Sequence, residues 1–252
     1  MEKKIFIKNK SGEKISVLVE TPKKESKGLA FILHGLGGYK EQKHIKTYAK
    51  SFLKQNITAV RFDARNSFGE SDGNYAKGTI TNFCEDLETI INWSKKQSWY
   101  QEPFWLAGHS SGSIAIALYA QNNLEKVKAL APTSTAISAK LSLQTPKYKN
   151  WEEMQKRGWI QEKRGIKLDA SHMIDRMKYD LLDNTSKLTM PVLLMTGDMD
   201  VGTPPQHQKL LYDKLPGEKE LHIIKNAPHT FKKPYHLFKI KKIFTRWIKR
   251  HL

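Results

Sequence analysis

Cysteine is nearly absent. Cys84 is the one thiol in the chain, so no disulfide can form within it and no cysteine-rich metal centre can be built. No stretch approaches the roughly 18 consecutive apolar residues of a membrane-spanning helix. The opening residues, Met1 to Lys8, carry charge but lack the apolar core of a secretion signal. A cytoplasmic protein with no membrane span is therefore expected, and the Asn-x-Ser/Thr matches at Asn56 and Asn184 are chance. Also missing are a Gly-Lys-Ser/Thr phosphate loop, a G-x-G-x-x-G dinucleotide turn and the H-E-x-x-H metal spacing. His44, His172, His207, His222, His236 and His251 are scattered, so no metal and no cofactor is expected.

Acidic residues are scarce as well, 25 against 43 Lys and Arg, which leaves a net charge of +18. Such a balance draws a chain toward nucleic acid, anionic lipid or acidic substrates. The lysines, however, are spread over the whole length. Only Lys239, Lys241, Lys242, Arg246, Lys249 and Arg250 gather, alternating with Ile240, Ile243, Phe244, Trp247 and Ile248 at helical spacing. The expected structure is a terminal helix with one face in the core and a solvated basic face. No nucleic-acid partner is expected, and the rival reading is a non-catalytic binding protein using that face. With 252 residues, 39% of them hydrophobic, residues 1–252 suit one domain with a full core. Nothing in the chain indicates its oligomeric state.

Lys3 to Lys8 and Ile15 to Glu20 predict a hairpin. Gly28 to Leu33, Ile57 to Phe62, Phe104 to Ala107, Val127 to Ala131 and Val192 to Gly197 are apolar runs of the kind buried on both faces of a parallel sheet. Pro132 is expected to stop the fourth of these. Helices are predicted over Gln42 to Gln55, Thr81 to Gln97, Ser113 to Ala120 and Pro204 to Leu215. This alternation implies βαβ units and a mostly parallel sheet with helices on both faces. Between about residues 133 and 188 the rhythm breaks. That segment is polar, contains Tyr148, Trp151, Trp159 and Tyr179, and reads as an inserted cap of helical patches.

Gly108-His109-Ser110-Ser111-Gly112 lies between a strand and a helix. The G-x-S-x-G spacing fits a sharp turn that exposes Ser110 at a helix N-terminus, where the Ser111 N–H and the helix dipole favour a developing oxyanion. The glycine-rich turn His34-Gly35-Leu36-Gly37-Gly38, after another buried strand, offers the Leu36 N–H as a second donor. A serine hydroxyl needs a base, and the base needs an orienting partner. Asp200, in the turn Gly197-Asp198-Met199-Asp200, and His229, in Ala227-Pro228-His229-Thr230, follow strands on the edge where open α/β sheets bind ligands. Asp198 is the second choice, better suited to bracing the turn.

These four segments, in the order Ser, Asp, His, resemble the α/β-hydrolase superfamily, in particular its small capped serine esterases and lipase-like members. The resemblance spans Lys3 to Arg250. It implies Ser110 as nucleophile, His229 as base and then acid, Asp200 as orienting carboxylate, and Leu36 and Ser111 as oxyanion donors. It also implies hydrolysis of a small-molecule carboxylic ester or thioester, with feruloyl-type or acyl esterases as the nearest kind. A peptidase or acyltransferase using the same triad is the alternative. The turn Asp63-Ala64-Arg65 is similar to the family's D-x-R-G-x-G-x-S turn, but Asn66-Ser67-Phe68-Gly69 is one residue longer and lacks a glycine. His34 and His109 are expected to brace loops through hydrogen bonds.

Overall fold

The computed structural model describes residues 1–161 and 165–252. Its elements in order are β1 (Glu2–Lys8), β2 (Lys14–Glu20), β3 (Leu29–Leu33), α1 (Lys43–Leu53), β4 (Thr58–Phe62), α2 (Ile80–Ser94), β5 (Phe104–His109), α3 (Ser111–Asn122) and β6 (Val127–Thr133). There follow α4 (Ala139–Leu143), α5 (Trp151–Arg157), β7 (Trp159–Gln161), β8 (Lys167–Asp169) and α6 (Ser171–Arg176). The chain then runs through β9 (Val192–Gly197), α7 (Pro205–Lys214), β10 (Lys219–Ile224) and α8 (Pro234–Arg250).

Eight strands form one sheet in the order β1-β2-β4-β3-β5-β6-β9-β10. The β1–β2 hairpin and the β2–β4 pair are antiparallel, and every later pair is parallel. Alternate residues of each strand face opposite layers. Leu29, Phe31 and Leu33 of β3 join α2 and α3 on one side, while Ala30 and Ile32 join α1 and α8 on the other. The α8 stripe Ile240, Phe244, Trp247 and Ile248 is buried against Tyr48 and Phe52 of α1, so the terminal helix is part of the core. Its basic residues lie largely on the outside.

Pro132 does not end β6, contrary to the sequence expectation. It pairs in register with Gly108, and the strand continues to Thr133. The Leu130 and Ser134 amides donate to the β9 side, to Pro191 O and Met195 O. The slot that Pro132 leaves without a donor therefore falls toward β9, where the pairing thins to Leu130 and Thr133. The sheet tolerates the gap because β5 pairs the other side of β6 without interruption from Trp105–Ala129 to His109–Thr133.

Between β6 and β9 the chain forms short helices and a two-stranded hairpin, β7–β8, which the polar composition did not predict. Ala139, Tyr148, Ile160, Leu168 and Met173 bury one another there in a separate small cluster, on which Leu36 also packs. Among the described residues no helix is long and apolar enough to cross a membrane.

Candidate active site

The turn from β5 into α3 holds Ser110 at φ 53 and ψ −116, a conformation that L-residues rarely occupy and that carries strain. Close packing enforces it. A Cβ on Gly112 would come within 2.3 Å of the His34 backbone oxygen, so only glycine lets α3 approach β3 this closely. The Ser110 amide is anchored by Thr133 O at 2.9 Å, and the Ser113 hydroxyl donates to the same oxygen. Ser110 itself is partly exposed.

The glycine-rich turn after β3 abuts this elbow. A Cβ on Gly35 would fall 2.8 Å from Ser110 Cβ, which puts the two loops in contact. Among the described residues neither the Leu36 nor the Ser111 amide donates to another protein group, so both N–H groups remain available beside Ser110. His34 braces this turn. Its Nδ1 faces Gly35 O at 2.8 Å and must donate there, while its Nε2 accepts from the Ala64 amide at 3.0 Å. That pattern fixes a neutral ring, and burial pushes its pKa down in the same direction.

The turn beginning at Asp63 pins the loop from behind. Asp63 accepts from the Lys40 amide and ammonium, both at 2.6 Å, and from the Glu70 amide at 2.9 Å. Arg65 binds Asp86, Glu85 and Glu13. Where the family pattern has a glycine, Asn66 adopts φ 56, the left-handed region that Asn accepts more readily than most residues. Its Oδ1 accepts from the Asn74 amide, closing the longer turn.

On the far side of the sheet edge, β9 and β10 deliver Asp200 and His229. His229 Nδ1 lies 2.7 Å from Asp200 Oδ2. The Asp200 carboxylate is buried and also accepts from the Thr203 hydroxyl at 2.7 Å and from the amides of Gly202 and Thr203. Burial works to raise its pKa, but the His229 contact and the Thr203 donors outweigh burial and hold the carboxyl below its usual range. With Nδ1 engaged, Nε2 is the basic nitrogen left to His229. Asp198 does something else: it accepts from the Ala227 amide and braces the turn.

His109 joins the two halves of the site. Its Nε2 donates to His229 O at 2.8 Å, and the two rings lie 4.7 Å apart. Burial, then the neighbouring His44 and His229, push the His109 pKa well down, so it is a neutral strut. The Ser134 hydroxyl also donates to His229 O. Among the described residues the Ser110 hydroxyl and His229 share no hydrogen bond, so the elbow and the His229 loop meet through His109.

Thr203 and His44 are the parts of the site that sequence reasoning missed. Asp200-Val201-Gly202-Thr203 does have the spacing of a carboxylate capping a turn, which was the available signal. The His44 ring lies tilted, 4.5 Å from that of His109, only because α1 crosses the sheet there. Among the described residues no three His, Cys, Asp or Glu side chains converge as a metal site.

The model of one protein family, serine aminopeptidase S33, matches residues 24–176, more than half of the chain. The chain belongs to this family of α/β hydrolases. The sheet topology agrees, and solved structures share the fold. Est1E from Butyrivibrio proteoclasticus with ferulic acid bound superposes with a TM-score of 0.86 at 21% identity, covering 98% of each chain. Mouse alpha/beta hydrolase domain-containing protein 10 gives 0.82 at 19%, covering 98% of this chain and 99% of that one. An uncharacterized 31.7 kDa protein in the traX-finO intergenic region of Escherichia coli is 23% identical, over 97% of this chain and 98% of its own. This membership makes the chain a hydrolase by family.

Proposed function

We propose that this hydrolase cleaves carboxylic esters through an acyl-enzyme on Ser110. The observation that carries the reading is the 2.7 Å contact between Asp200 and His229, joined through His109 to an elbow that holds Ser110 at positive φ. Ser110 Oγ bonds to the ester carbonyl carbon and gives its proton to His229 Nε2. The Leu36 and Ser111 amides receive the oxyanion. The bond to the leaving oxygen then breaks, His229 returns the proton to it, and the alcohol departs. Water repeats the sequence on the acyl carbon, with its proton passing to His229 and then to Ser110 Oγ, which frees the acid. Residues 133–188 act as the cap that shapes the acyl pocket of this one-domain enzyme.

Ferulic acid in the Est1E structure makes aryl acids a natural first choice of acyl group. A second reading, amide cleavage, is favoured by the aminopeptidase description of the family. Sequence and fold use the same triad for either reaction, and the leaving group decides. The test is a panel of p-nitrophenyl esters of rising chain length, a feruloyl ester, an acyl thioester and an amino-acid p-nitroanilide, each run with a Ser110→Ala control. Ester turnover that vanishes in the control is expected. Turnover confined to the anilide would replace the ester reading, and equal rates in both proteins would remove Ser110 from the chemistry.

A further inference from the structure

Arg176 ends α6 and is only 6% exposed. A guanidinium so far from water is ordinarily matched by a carboxylate. The other two arginines buried among the described residues are: Arg61 binds Glu20 and Glu41, and Arg65 binds Asp86, Glu85 and Glu13. Arg176 is the exception. Among the described residues no acid pairs with it, its Nη2 donates to the neutral Ser142 hydroxyl at 2.5 Å, and its buried Nε has no partner. Burial pushes its pKa down, and only the Tyr148 phenol beside it works the other way.

Its surroundings tie it to both sides of the candidate site. Tyr148 belongs to the apolar cluster on which Leu36 packs. His172, one turn back along α6, donates from Nδ1 to Gly78 O at 2.8 Å, in the turn that lies against Leu36. Ser142 sits on α4, reached from β6 just past Ser134, whose hydroxyl touches His229 O. On α7, half-buried His207 feels the charges of both Arg176 and Asp200. A cation without a counter-charge thus borders the apolar cluster on which Leu36 packs and lies within electrostatic reach of His207.

We propose that Arg176 is a specificity determinant that receives an anionic group of the substrate, a carboxylate carried by the acyl chain or by the leaving group. The inference rests on the ester-hydrolase reading for its substrate, but the anion site itself does not depend on it. A guanidinium presents planar donors matched to a carboxylate. Ser142 and Tyr148 hold the fork in place without neutralising it. The missing charge is then supplied by the ligand, and esters lacking one leave Arg176 buried and unmatched, which discriminates against them.

Two pairs of esters test this. One compares the p-nitrophenyl monoester of glutaric acid with p-nitrophenyl pentanoate, the same length without the charge. The other compares 4-acetoxybenzoate with its methyl ester, moving the carboxylate to the leaving group. In at least one pair, the anionic-to-neutral ratio of kcat/KM is expected to fall roughly ten- to hundredfold in Arg176→Met, mainly through KM, and by less in Arg176→Lys. Ratios unchanged in both pairs would overturn the proposal. Should Arg176→Met fail to fold, the Lys variant carries the comparison. Calorimetry on the Ser110→Ala protein with glutarate and with 4-hydroxybenzoate separates the two claims. Saturable binding of either, lost with the added Arg176→Met or weakened with Arg176→Lys, upholds the anion site even if no ester is cleaved. Ester hydrolysis by wild type without anion preference or binding leaves the hydrolase reading standing and removes the role of Arg176.

Discussion

Ser110, Asp200 and His229 are separated by long stretches of chain, and each is positioned by neighbours of a different kind. Ser110 is held by backbone packing, Asp200 by donated hydrogen bonds, and His229 by the carboxylate and by His109. Replacing Asp200 with Asn would leave the turn but remove the charge that fixes the Nδ1 tautomer. Its kcat is expected to fall by roughly three to four orders of magnitude. Asp198→Asn should remain within several-fold of wild type, because Asp198 only braces an amide. Comparable losses in the two variants, measured on one ester, would contradict this division. Thr203→Val removes a hydroxyl from Asp200, and a smaller fall in kcat of about tenfold is expected from the lost hydrogen bond. That Asp200 rather than Asp198 stands beside His229 was legible in the sequence from position in the turn. Thr203 was not, since its role depends on how the turn folds back on its own carboxylate.

Strands and helices were the most readable part of the chain, because buried parallel strands are apolar runs and amphipathic helices repeat at the helical period. Leu29 to Leu33 and the α8 stripe are examples. Pro132 was misread because a proline argues against a central strand only when its missing N–H is needed, and here that slot falls in the thin β6–β9 pairing. The β7–β8 hairpin escaped notice because three-residue strands on a polar surface leave no periodic trace. The elbow itself makes a sharp element-scale forecast. Gly112→Ala forces a methyl group against a backbone oxygen that cannot rotate away. A loss of about 2 kcal/mol or more is expected, roughly 5 °C or more in Tm, together with disturbed Ser110 geometry. A variant as stable and active as wild type would show that α3 is free to move off β3.

At the scale of the whole molecule, buried histidines are held in neutral form. Burial is the main cause at His34, His44, His109 and His172, and it takes His44 and His172 down to about 3. In the unfolded chain such rings titrate near 6.5. Above that pH the groups are neutral in both states and have no effect. Below it the unfolded chain takes up protons that the folded one refuses, so stability is lost progressively from about pH 6.5 toward pH 3. The denaturant midpoint should drop between pH 7.5 and pH 5, and His172→Gln should flatten the slope. A midpoint independent of pH in that window would rule this out. The central claim also belongs to the whole molecule: residues carried by β5, β9 and β10 meet at one edge of the sheet and make a serine reactive at neutral pH. The most direct measurement is labelling of the folded protein with a fluorophosphonate, with the adduct mapped by mass spectrometry. A single adduct on Ser110, absent in Ser110→Ala and strongly slowed in His229→Ala and Asp200→Asn, is the expected result. Labelling elsewhere, or labelling of Ser110 at the same rate without His229, would contradict it.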